Sequence, residues 1–405
     1  MIPTIAINLA HPAFKADPFP VYARLRAETP ICRIATSSGE TAIFVTRYAD
    51  VSALLKDKRF VKDPANALTP EQLAQQRRIP GFLSPLTRNI LALDDPDHAR
   101  LRRLVQAVFT PRRIATLEAQ VVAASATLLQ ALHGRSSFDL IADFALPLPV
   151  KVISDLLGIP SADQARFAHW SHALIKIGSV SPIGAILQMP RIIYFLRYLK
   201  RLIAMKRSDP ADDLVSALVS QQQEESLSVE ELMAMIAILL SAGHETTTNL
   251  IGNGMLSLMR HPAAREALLA HPHLIESAID ELLRFEGPVE MSTHRYASEN
   301  IELGGTVIPQ GSTVHGIIAS ANRDDRQFSN PNDVNIARDP NRHLTFGEGG
   351  HYCLGASLAR MEGRVTFEHL LAQFPKLRAA APAGQLRWRP NMILRGLERF
   401  PVKVG

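Results

Sequence analysis

Residues 346–355 read Phe-Gly-Glu-Gly-Gly-His-Tyr-Cys-Leu-Gly and contain Cys353, one of only two cysteines in the chain. Glycines flank this cysteine on both sides, and a pattern typical of a helix follows over 356–371. The N-terminus of a helix offers unpaired N–H groups and a positive dipole end, and both favour a thiolate over a thiol. Glycines also let the backbone approach a large flat partner closely. The stretch therefore predicts a thiolate at the start of a helix.

Two interpretations of Cys353 follow from these surroundings. A lone cysteine in a tight turn is commonly a buried and inert residue. A thiolate with His351 two residues before it also suits a haem iron that is held by cysteine. The spacing favours the haem interpretation, because every fixed position of the pattern Phe-Gly-x-Gly-x-His-x-Cys-x-Gly is occupied.

With this pattern the chain resembles the cytochrome P450 superfamily, and Ala356, Leu358, Ala359, Arg360 and Glu362 also fit. The resemblance covers nearly the whole chain. It implies a mainly α fold with small β-sheets, a single-domain cytochrome P450 fold. In that fold a triangular helical prism encloses the haem between a long central helix and the helix after the cysteine loop. One haem-thiolate monooxygenase domain would occupy residues 1–405, with no reductase domain.

The resemblance also implies the cofactor and its surroundings. The cofactor would be haem b, with Cys353 as the axial ligand of its iron. The residues of the loop and of the following helix that would contact the haem are Phe346, Gly347, His351, Leu354, Gly355 and Ala359.

The composition is that of an ordinary globular protein, with 405 residues of which 46% are hydrophobic and 20% charged. No apolar run approaches the ~18–20 residues that span a bilayer. Residues 1–10 contain neither a basic segment nor a signal-peptide cleavage pattern. Two cysteines do not make a disulfide framework. These features predict a cytoplasmic protein without a membrane span, and the chain resembles the soluble bacterial members of the family.

The chain is basic, with a net charge of +5. No motif supports a nucleic-acid partner, since basic and aromatic residues are not interleaved. A cluster of arginines is either a solvated helix face or, as the resemblance implies, a docking patch for an acidic electron donor. Its members are Arg100, Arg102, Arg103, Arg112 and Arg113.

A helix is predicted to begin at Pro96, after two aspartates. His98 and Arg102 are four residues apart and therefore share one face of that helix. They are either a polar surface pair or two donors to a haem propionate, since anions favour charge-assisted hydrogen bonds. The spacing matches the His-x-x-x-Arg motif of the family. The resemblance assigns a second propionate contact to Arg295.

A long helix is predicted to begin at Ser228 and to contain Ala-Gly-His-Glu-Thr-Thr-Thr over 242–248. Glycine costs ~1 kcal/mol in a helix interior, and threonine is also unfavourable there. Such a locally costly segment often marks function, although threonines can also bond to the preceding turn and bend the helix. A zinc site of the His-Glu-x-x-His type is excluded, because position 248 is threonine.

The segment 242–247 matches the family signature of the oxygen-handling helix. The resemblance implies that the small residues Ala242 and Gly243 leave room over the iron. It implies that Thr246 hydrogen-bonds the bound dioxygen and positions water. Glu245 would relay protons from solvent.

Glu281 and Arg284 lie three residues apart on a predicted helix. The resemblance makes them the buried ion pair of the family, completed by Arg338. Buried ion pairs specify geometry more than they add stability, so the expected role is support of the cysteine loop.

The remaining elements are predicted from periodicity and turn residues. A hairpin over 31–34 and 41–45 turns at 37–39, and a second turn lies at Gly304 and Gly305, with strands over 306–308 and 313–318. Residues 62–90 are predicted as loop with one helical turn at 70–77. Helices are predicted over 17–28, 48–56, 113–133, 143–158, 161–177 and 190–207, with a loop at 179–184 that the resemblance makes a lid over the substrate.

The resemblance also indicates where substrate is bound. Glu290 could pair with an amino sugar, or it could be a surface or backbone-bonding residue. The candidate lining residues are Phe82, Leu83, Leu86, Leu239, Ala242, Val289, Glu290, Met291, Met392 and Ile393.

The function expected from the resemblance is a monooxygenase that hydroxylates or epoxidises a hydrophobic small molecule. It would use O2 and two electrons from a separate ferredoxin or flavodoxin, and act as a monomer. Residues 286–290 resemble members that tailor macrolides and polyketides in secondary metabolism; steroids, terpenoids and fatty acids are further classes. One alternative is a peroxygenase driven by H2O2, which typically lacks the Glu-Thr pair. Another is a haem sensor or electron-transfer protein, which needs no substrate pocket.

Overall fold

The computed structural model describes residues 2–35, 41–75, 81–83, 86, 88–109, 111–164, 166–167, 170, 182–225 and 227–405. The side chains at 82, 108, 111–114, 182–186 and 221–225 are not part of that description. Within the described residues, helices are the main elements, and three small β-sheets accompany them. The predicted mainly α fold with small sheets is confirmed.

The helices are α1 (Pro12–Ala16), α2 (Phe19–Glu28), α3 (Tyr48–Lys56), α4 (Pro70–Gln75), α5 (Asp97–Val108), α6 (Pro111–Gln130), α7 (Pro147–Leu156), α8 (Pro182–Ser208), α9 (Leu214–Glu225), α10 (Val229–Arg260), α11 (Pro262–Ala270), α12 (Ile275–Glu286), α13 (Ile318–Ala321) and α14 (Ala356–Gln373).

The strands are β1 (Thr4–Ile5), β2 (Ile31–Ala35), β3 (Thr41–Val45), β4 (Phe60–Val61), β5 (Ser137–Asp139), β6 (Arg295–Ala297), β7 (Ile301–Leu303), β8 (Thr306–Ile308), β9 (Thr313–Gly316), β10 (Arg378–Ala379) and β11 (Pro401–Lys403). The largest sheet has the order β1-β2-β3-β9-β6-β4; β10-β11-β5 and β7-β8 form the other two.

The chain divides into two compact units. The first contains Met1–Gln76, Ser125–Ala145 and Thr246–Gly405; the second contains Arg77–Ala124 and Leu146–Glu245. In the first unit, one apolar cluster packs α3 against the large sheet. Another joins α2 to the other side of β2 and β3 and to the segment around Met291.

Several elements that are marked by proline, by glycine turns or by a clear periodic pattern lie where the sequence predicts them. Helix α3 has the predicted bounds, α5 begins directly after Pro96, and α14 follows the cysteine loop. Strands β2 and β3 pair antiparallel, with Ile31 opposite Val45. The turn between β7 and β8 uses Gly304 and Gly305, whose φ values of +53° and +73° suit glycine in such a hairpin.

Several predicted bounds are wrong, and proline explains two of them. The helix predicted over 143–158 is a π-helical turn at Ile141–Ala145 followed by α7, because Pro147 lacks the N–H that a continuous helix needs. Pro182 was predicted in a loop but begins α8, since proline suits the first turn of a helix. The strand predicted over 313–318 ends at Gly316, and α13 follows it. The turn at 37–39, the lid residues 179–181 and most of the helix predicted over 161–177 lie outside the described residues.

Candidate functional site

The loop before Cys353 is closed by backbone hydrogen bonds. The N–H of Cys353 donates to the Phe346 carbonyl over 2.9 Å, and the N–H of Gly347 donates to the Leu344 carbonyl over 2.8 Å. Gly347 and Gly349 both have a φ of +71°, which glycine adopts without strain. A Cβ at Gly349 would lie 2.8 Å from the Leu55 carbonyl oxygen. The glycines therefore decide the shape of this loop.

The two cysteines lie in opposite environments. Cys353 is exposed and lies three residues before Ala356, the first residue of α14. Cys32 is completely buried, and burial raises the pKa of its thiol to about 11. An accessible thiol beside a helix N-terminus has the chemistry of a thiolate ligand, whereas Cys32 is inert. The buried-cysteine interpretation of Cys353 is wrong.

Side chains of two helices brace the loop. The Arg360 guanidinium of α14 lies 4.5 Å from the centre of the Phe346 ring. The Nε of Arg360 donates to Asp280 Oδ1 of α12 over 2.8 Å. Phe346 and His351 are partly exposed, and Tyr352 is exposed. The rigid support leaves one side of the loop accessible to a ligand.

The start of α10 is capped as the sequence predicts. Glu231 N–H donates to the Ser228 hydroxyl over 3.0 Å, and Ser228 N–H donates to Glu231 Oε2 over 2.8 Å. This reciprocal capping box satisfies two N–H groups at the helix start. Glu231 also pairs with Arg100 of α5 within the second unit.

In the middle of α10, most side chains are buried but one stripe is accessible. Ala242 is exposed, and Leu239, Gly243 and Thr246 are partly exposed. Ala242 and Thr246 are four residues apart and lie on one face of the helix. On another face, a Cβ at Gly243 would lie 3.1 Å from Ile153 Cδ1, so this position has little room for a larger residue. The helix thus presents small residues and one hydroxyl on its accessible stripe.

The other polar side chains of this segment are buried. His244 and Glu245 are almost fully buried, and His244 Nδ1 lies 2.8 Å from the Leu240 carbonyl oxygen. Thr247 donates a hydrogen bond to Glu362 Oε2 over 3.0 Å. Burial raises the pKa of the Glu362 carboxyl group to about 8. From the sequence, Glu362 is assigned no role beyond its fit to the family pattern.

Comparison with known proteins identifies the family. The profile described as Cytochrome P450 matches residues 188–377. Cytochrome P450 107B1 of Saccharopolyspora erythraea is 42% identical over 396 residues, covering 97% of this chain and 96% of that protein. This chain belongs to the cytochrome P450 family. Mycinamicin IV hydroxylase/epoxidase of Micromonospora griseorubida is 41% identical over 386 residues, covering 94% of each chain.

The structure of the Bacillus subtilis bacillaene polyketide synthase cytochrome P450 PksS superposes with a TM-score of 0.91 at 38% identity. The superposition covers 98% of this chain and 100% of that chain. The protein is therefore a cytochrome P450 monooxygenase, and this family binds haem through a cysteine thiolate. Among the described residues no helix is long and apolar enough to cross a membrane.

In this cytochrome P450, His98 and Arg102 lie on α5 in the second unit. His98 is almost fully buried, with its Nδ1 3.4 Å from Asp95 Oδ1, and burial lowers its pKa. Arg102 is partly exposed. In the proposed donor patch, Arg103 is exposed, whereas Arg100 is engaged with Glu231. The side chains of the remaining two patch residues, Arg112 and Arg113, lie outside the described residues.

Arg295, the other predicted propionate donor, lies in β6 of the first unit. It is almost fully buried, and its guanidinium donates to the carbonyls of Phe60 over 3.2 Å and Leu55 over 3.3 Å. These two hydrogen bonds fix the orientation of the Arg295 guanidinium group.

The predicted ion pairs on α12 are present. Arg284 donates to both carboxylate oxygens of Glu281, over 2.7 and 2.8 Å, and both side chains are completely buried. Arg338 Nε donates to the same carboxylate over 3.0 Å. Arg284 also donates to the carbonyls of Asn322, Pro331 and Asp333, which belong to the chain segment that leads to the cysteine loop. The network therefore connects α12 to that segment.

The structure brings together two of the segments predicted to line the substrate pocket. Val289 and Leu394 form a β-bridge, and Glu290 N–H donates to the Ile393 carbonyl over 2.8 Å. Val289 and Ile393 are partly exposed, as is Met392, whereas Met291 is completely buried in the core. In the second unit, Leu83 is buried and Leu86 is partly exposed; the side chain of Phe82 lies outside the described residues.

Glu290 is not a surface residue. Its side chain is completely buried, where it pairs with Lys15 and accepts a hydrogen bond from the Tyr22 hydroxyl. The carboxylate therefore already has a cationic partner within the chain, and the structure gives no support for an amino sugar as that partner.

Proposed function

We propose that this cytochrome P450 hydroxylates or epoxidises a hydrophobic small molecule of the macrolide or polyketide class. The observation that carries the proposal is the accessible stripe of α10, where Ala242 is exposed and Thr246 partly exposed between buried neighbours. Two relatives, a mycinamicin IV hydroxylase/epoxidase and a bacillaene polyketide synthase P450, support this substrate class.

The chemistry of the donor set fits haem b. Cys353 supplies an accessible thiol beside a helix N-terminus, and His98, Arg102 and Arg295 supply donors for the propionates. When bound, the haem supplies the activation of O2 that inserts one oxygen atom into the substrate. The residues proposed to contact it are Phe346, Gly347, His351, Leu354, Gly355, Ala359, Ala242 and Gly243.

The chain itself contributes space, orientation and proton transfer. The small side chain of Ala242 leaves space beside the accessible stripe of α10. The Thr246 hydroxyl, which is partly exposed, orients a water molecule by donating and accepting hydrogen bonds. The buried carboxyl group of Glu245, the residue before Thr246, would relay protons towards the accessible face of the helix.

Electrons are proposed to come from a separate ferredoxin or flavodoxin. The exposed Arg103 would contribute to attraction of such an acidic donor. A steep loss of reduction rate with increasing salt would support this, since surface attraction is screened by ions.

The test of the proposed function is the absorption spectrum of the reduced protein under carbon monoxide. A strongly red-shifted Soret band is expected for the unaltered protein and for Cys32→Ala, the matched control. Cys353→His is expected to lose that band and all monooxygenation. A red-shifted band in Cys353→His, or unchanged turnover, would contradict the proposal.

A further inference from the structure

A fully buried polar cluster joins the first two helices to the segment after α12. It consists of Lys15 on α1, Tyr22 on α2 and Glu290, and all three side chains are 0% exposed. The ammonium group of Lys15 pairs with Glu290 Oε2, and the Tyr22 hydroxyl donates to Glu290 Oε1. The two carboxylate oxygens therefore have different partners, so the side chain of Glu290 is held in one orientation.

The cluster continues to the C-terminal part of the chain. Arg395 donates to the backbone carbonyl of Lys15 over 2.5 Å and, through its Nε, to Glu286 Oε1 over 2.7 Å. Its guanidinium lies 3.8 Å from the centre of the Trp388 ring. Arg395 N–H also donates to the Pro288 carbonyl over 2.9 Å. Helix α1 is thereby bonded to both of the segments that form the Val289–Leu394 bridge.

The backbone of Glu290 connects the segments that this cluster joins. Its N–H donates to the Ile393 carbonyl over 2.8 Å, and its carbonyl accepts from the Ala319 N–H over 3.0 Å. The partly exposed side chains of Val289 and Ile393 lie beside it. A rotation or shift of Glu290 would move both of these side chains.

Stability alone does not account for the cluster. Taking an ammonium group and a carboxylate out of water costs several kcal/mol each, and well-packed apolar residues often serve as well or better. Burial lowers the pKa of Lys15 in spite of its partner. What a buried pair of this kind does supply is a single geometry, because any displacement leaves a charge uncompensated.

We propose that Lys15 and Tyr22 are positioning residues for substrate selectivity. They fix Glu290 and, through its backbone, the neighbouring side chains of Val289 and Ile393, here called the Val289–Ile393 wall. This inference rests on the proposed function and on the expectation from the sequence that Val289 and Ile393 line the substrate cavity. Residues near the N-terminus, which touch no substrate themselves, would thus set the shape of the cavity.

The test compares two ligands of the ferric haem in the full-length holoenzyme. Imidazole requires little space, whereas 4-phenylimidazole places a ring in the cavity beside the iron. Lys15→Met and Tyr22→Phe remove the bonds to Glu290 with little change of volume. Both are expected to weaken binding of 4-phenylimidazole about tenfold, a change of ~1.4 kcal/mol, while the Kd of imidazole stays the same.

Lys151→Met is the matched control, since Lys151 pairs with Asp155 at the surface over 2.9 Å. It is expected to leave both dissociation constants unchanged. The inference is overturned if the two constants shift by the same factor in Lys15→Met and Tyr22→Phe, or if neither shifts. Should Lys15→Met fail to fold, Tyr22→Phe decides alone, because it retains both charges.

The two proposals fail in distinguishable ways. If the unaltered protein lacks the red-shifted carbon monoxide band, the proposed function fails. If that band is present and the ratio of the two dissociation constants does not change in the variants, the positioning role alone fails.

Discussion

The hydroxyl of Thr247 donates a hydrogen bond to the buried carboxyl group of Glu362 over 3.0 Å, and this bond joins α10 to α14, the helix that follows Cys353. Its neighbour Thr246 is partly exposed on the accessible stripe, whereas Thr247 and Thr248 are buried. Adjacent threonines on one helix thus lie in different environments, because successive side chains point about 100° apart. One is available to a ligand, and the next connects the two helices of the site.

Glu362 should make stability depend on pH. Its folded pKa of about 8 lies above its ordinary value of 4.5, so the unfolded chain loses this proton at lower pH than the folded chain. The contribution of Glu362 to the free energy of unfolding is therefore fully present below about pH 4.5. It is lost as pH rises from there to about pH 8, because only the unfolded chain releases the proton in that range. Glu362→Gln should remove this loss, on the order of 3 kcal/mol between about pH 5 and pH 8, in denaturant unfolding of the holoenzyme.

Glu368→Gln, on the same helix but at the surface, is the control for the pH experiment. It should retain the pH dependence of the unaltered protein. Equal slopes of stability against pH in Glu362→Gln and the unaltered protein would show that the raised pKa is not present.

Thr246→Ala should divert reducing equivalents from product to peroxide. The variant keeps the helix and the thiolate but loses the hydroxyl that orients water on the accessible stripe. Product formed per electron pair consumed should fall, since a positioned proton-transfer group contributes roughly 10²–10⁴-fold to its step. Thr246→Ser, which restores a hydroxyl, should recover most of the coupling. Coupling in Thr246→Ala equal to that of the unaltered protein would rule out this role.

Glu281→Gln should destabilise the holoenzyme strongly. The change leaves the buried guanidinium groups of Arg284 and Arg338 without a counter-charge, which costs roughly 3–5 kcal/mol. Thermal unfolding and haem retention on a desalting column measure the effect. Glu299→Gln removes a partner of Arg59 in an exposed pair and should change stability by less than about 0.5 kcal/mol. A similar small change in Glu281→Gln would contradict the network's supporting role.

Gly349→Ala should disturb the cysteine loop. The position has a φ of +71°, and the added Cβ would lie 2.8 Å from the Leu55 carbonyl oxygen. A left-handed conformation costs a non-glycine residue roughly 1–2 kcal/mol even without a clash. The reduced carbon monoxide spectrum should therefore show less thiolate-ligated haem. Gly384→Ala, where no described atom lies within 4 Å of the added Cβ, should leave the spectrum unchanged.

Sequence patterns predicted best where the signal is local. The helix start predicted at Ser228 depends on one capping residue, and the loop before Cys353 depends on its own glycines. Such features form from neighbouring residues, so a short stretch of sequence is sufficient to predict them. Helix bounds near Pro147 and Pro182 were predicted less well, because a proline is compatible with either a break or a helix start.

The amino-acid sequence by itself determined the family, the thiolate candidate Cys353 and the acid–alcohol pair Glu245 and Thr246, because each is encoded in a short contiguous pattern. Only the tertiary structure decided the partners of buried charges. Lys15 and Glu290 are 275 residues apart in the chain, so no local pattern links them. Their pairing follows from the packing of α1 against a distant segment, since a buried charge must find its counter-charge wherever the fold provides one.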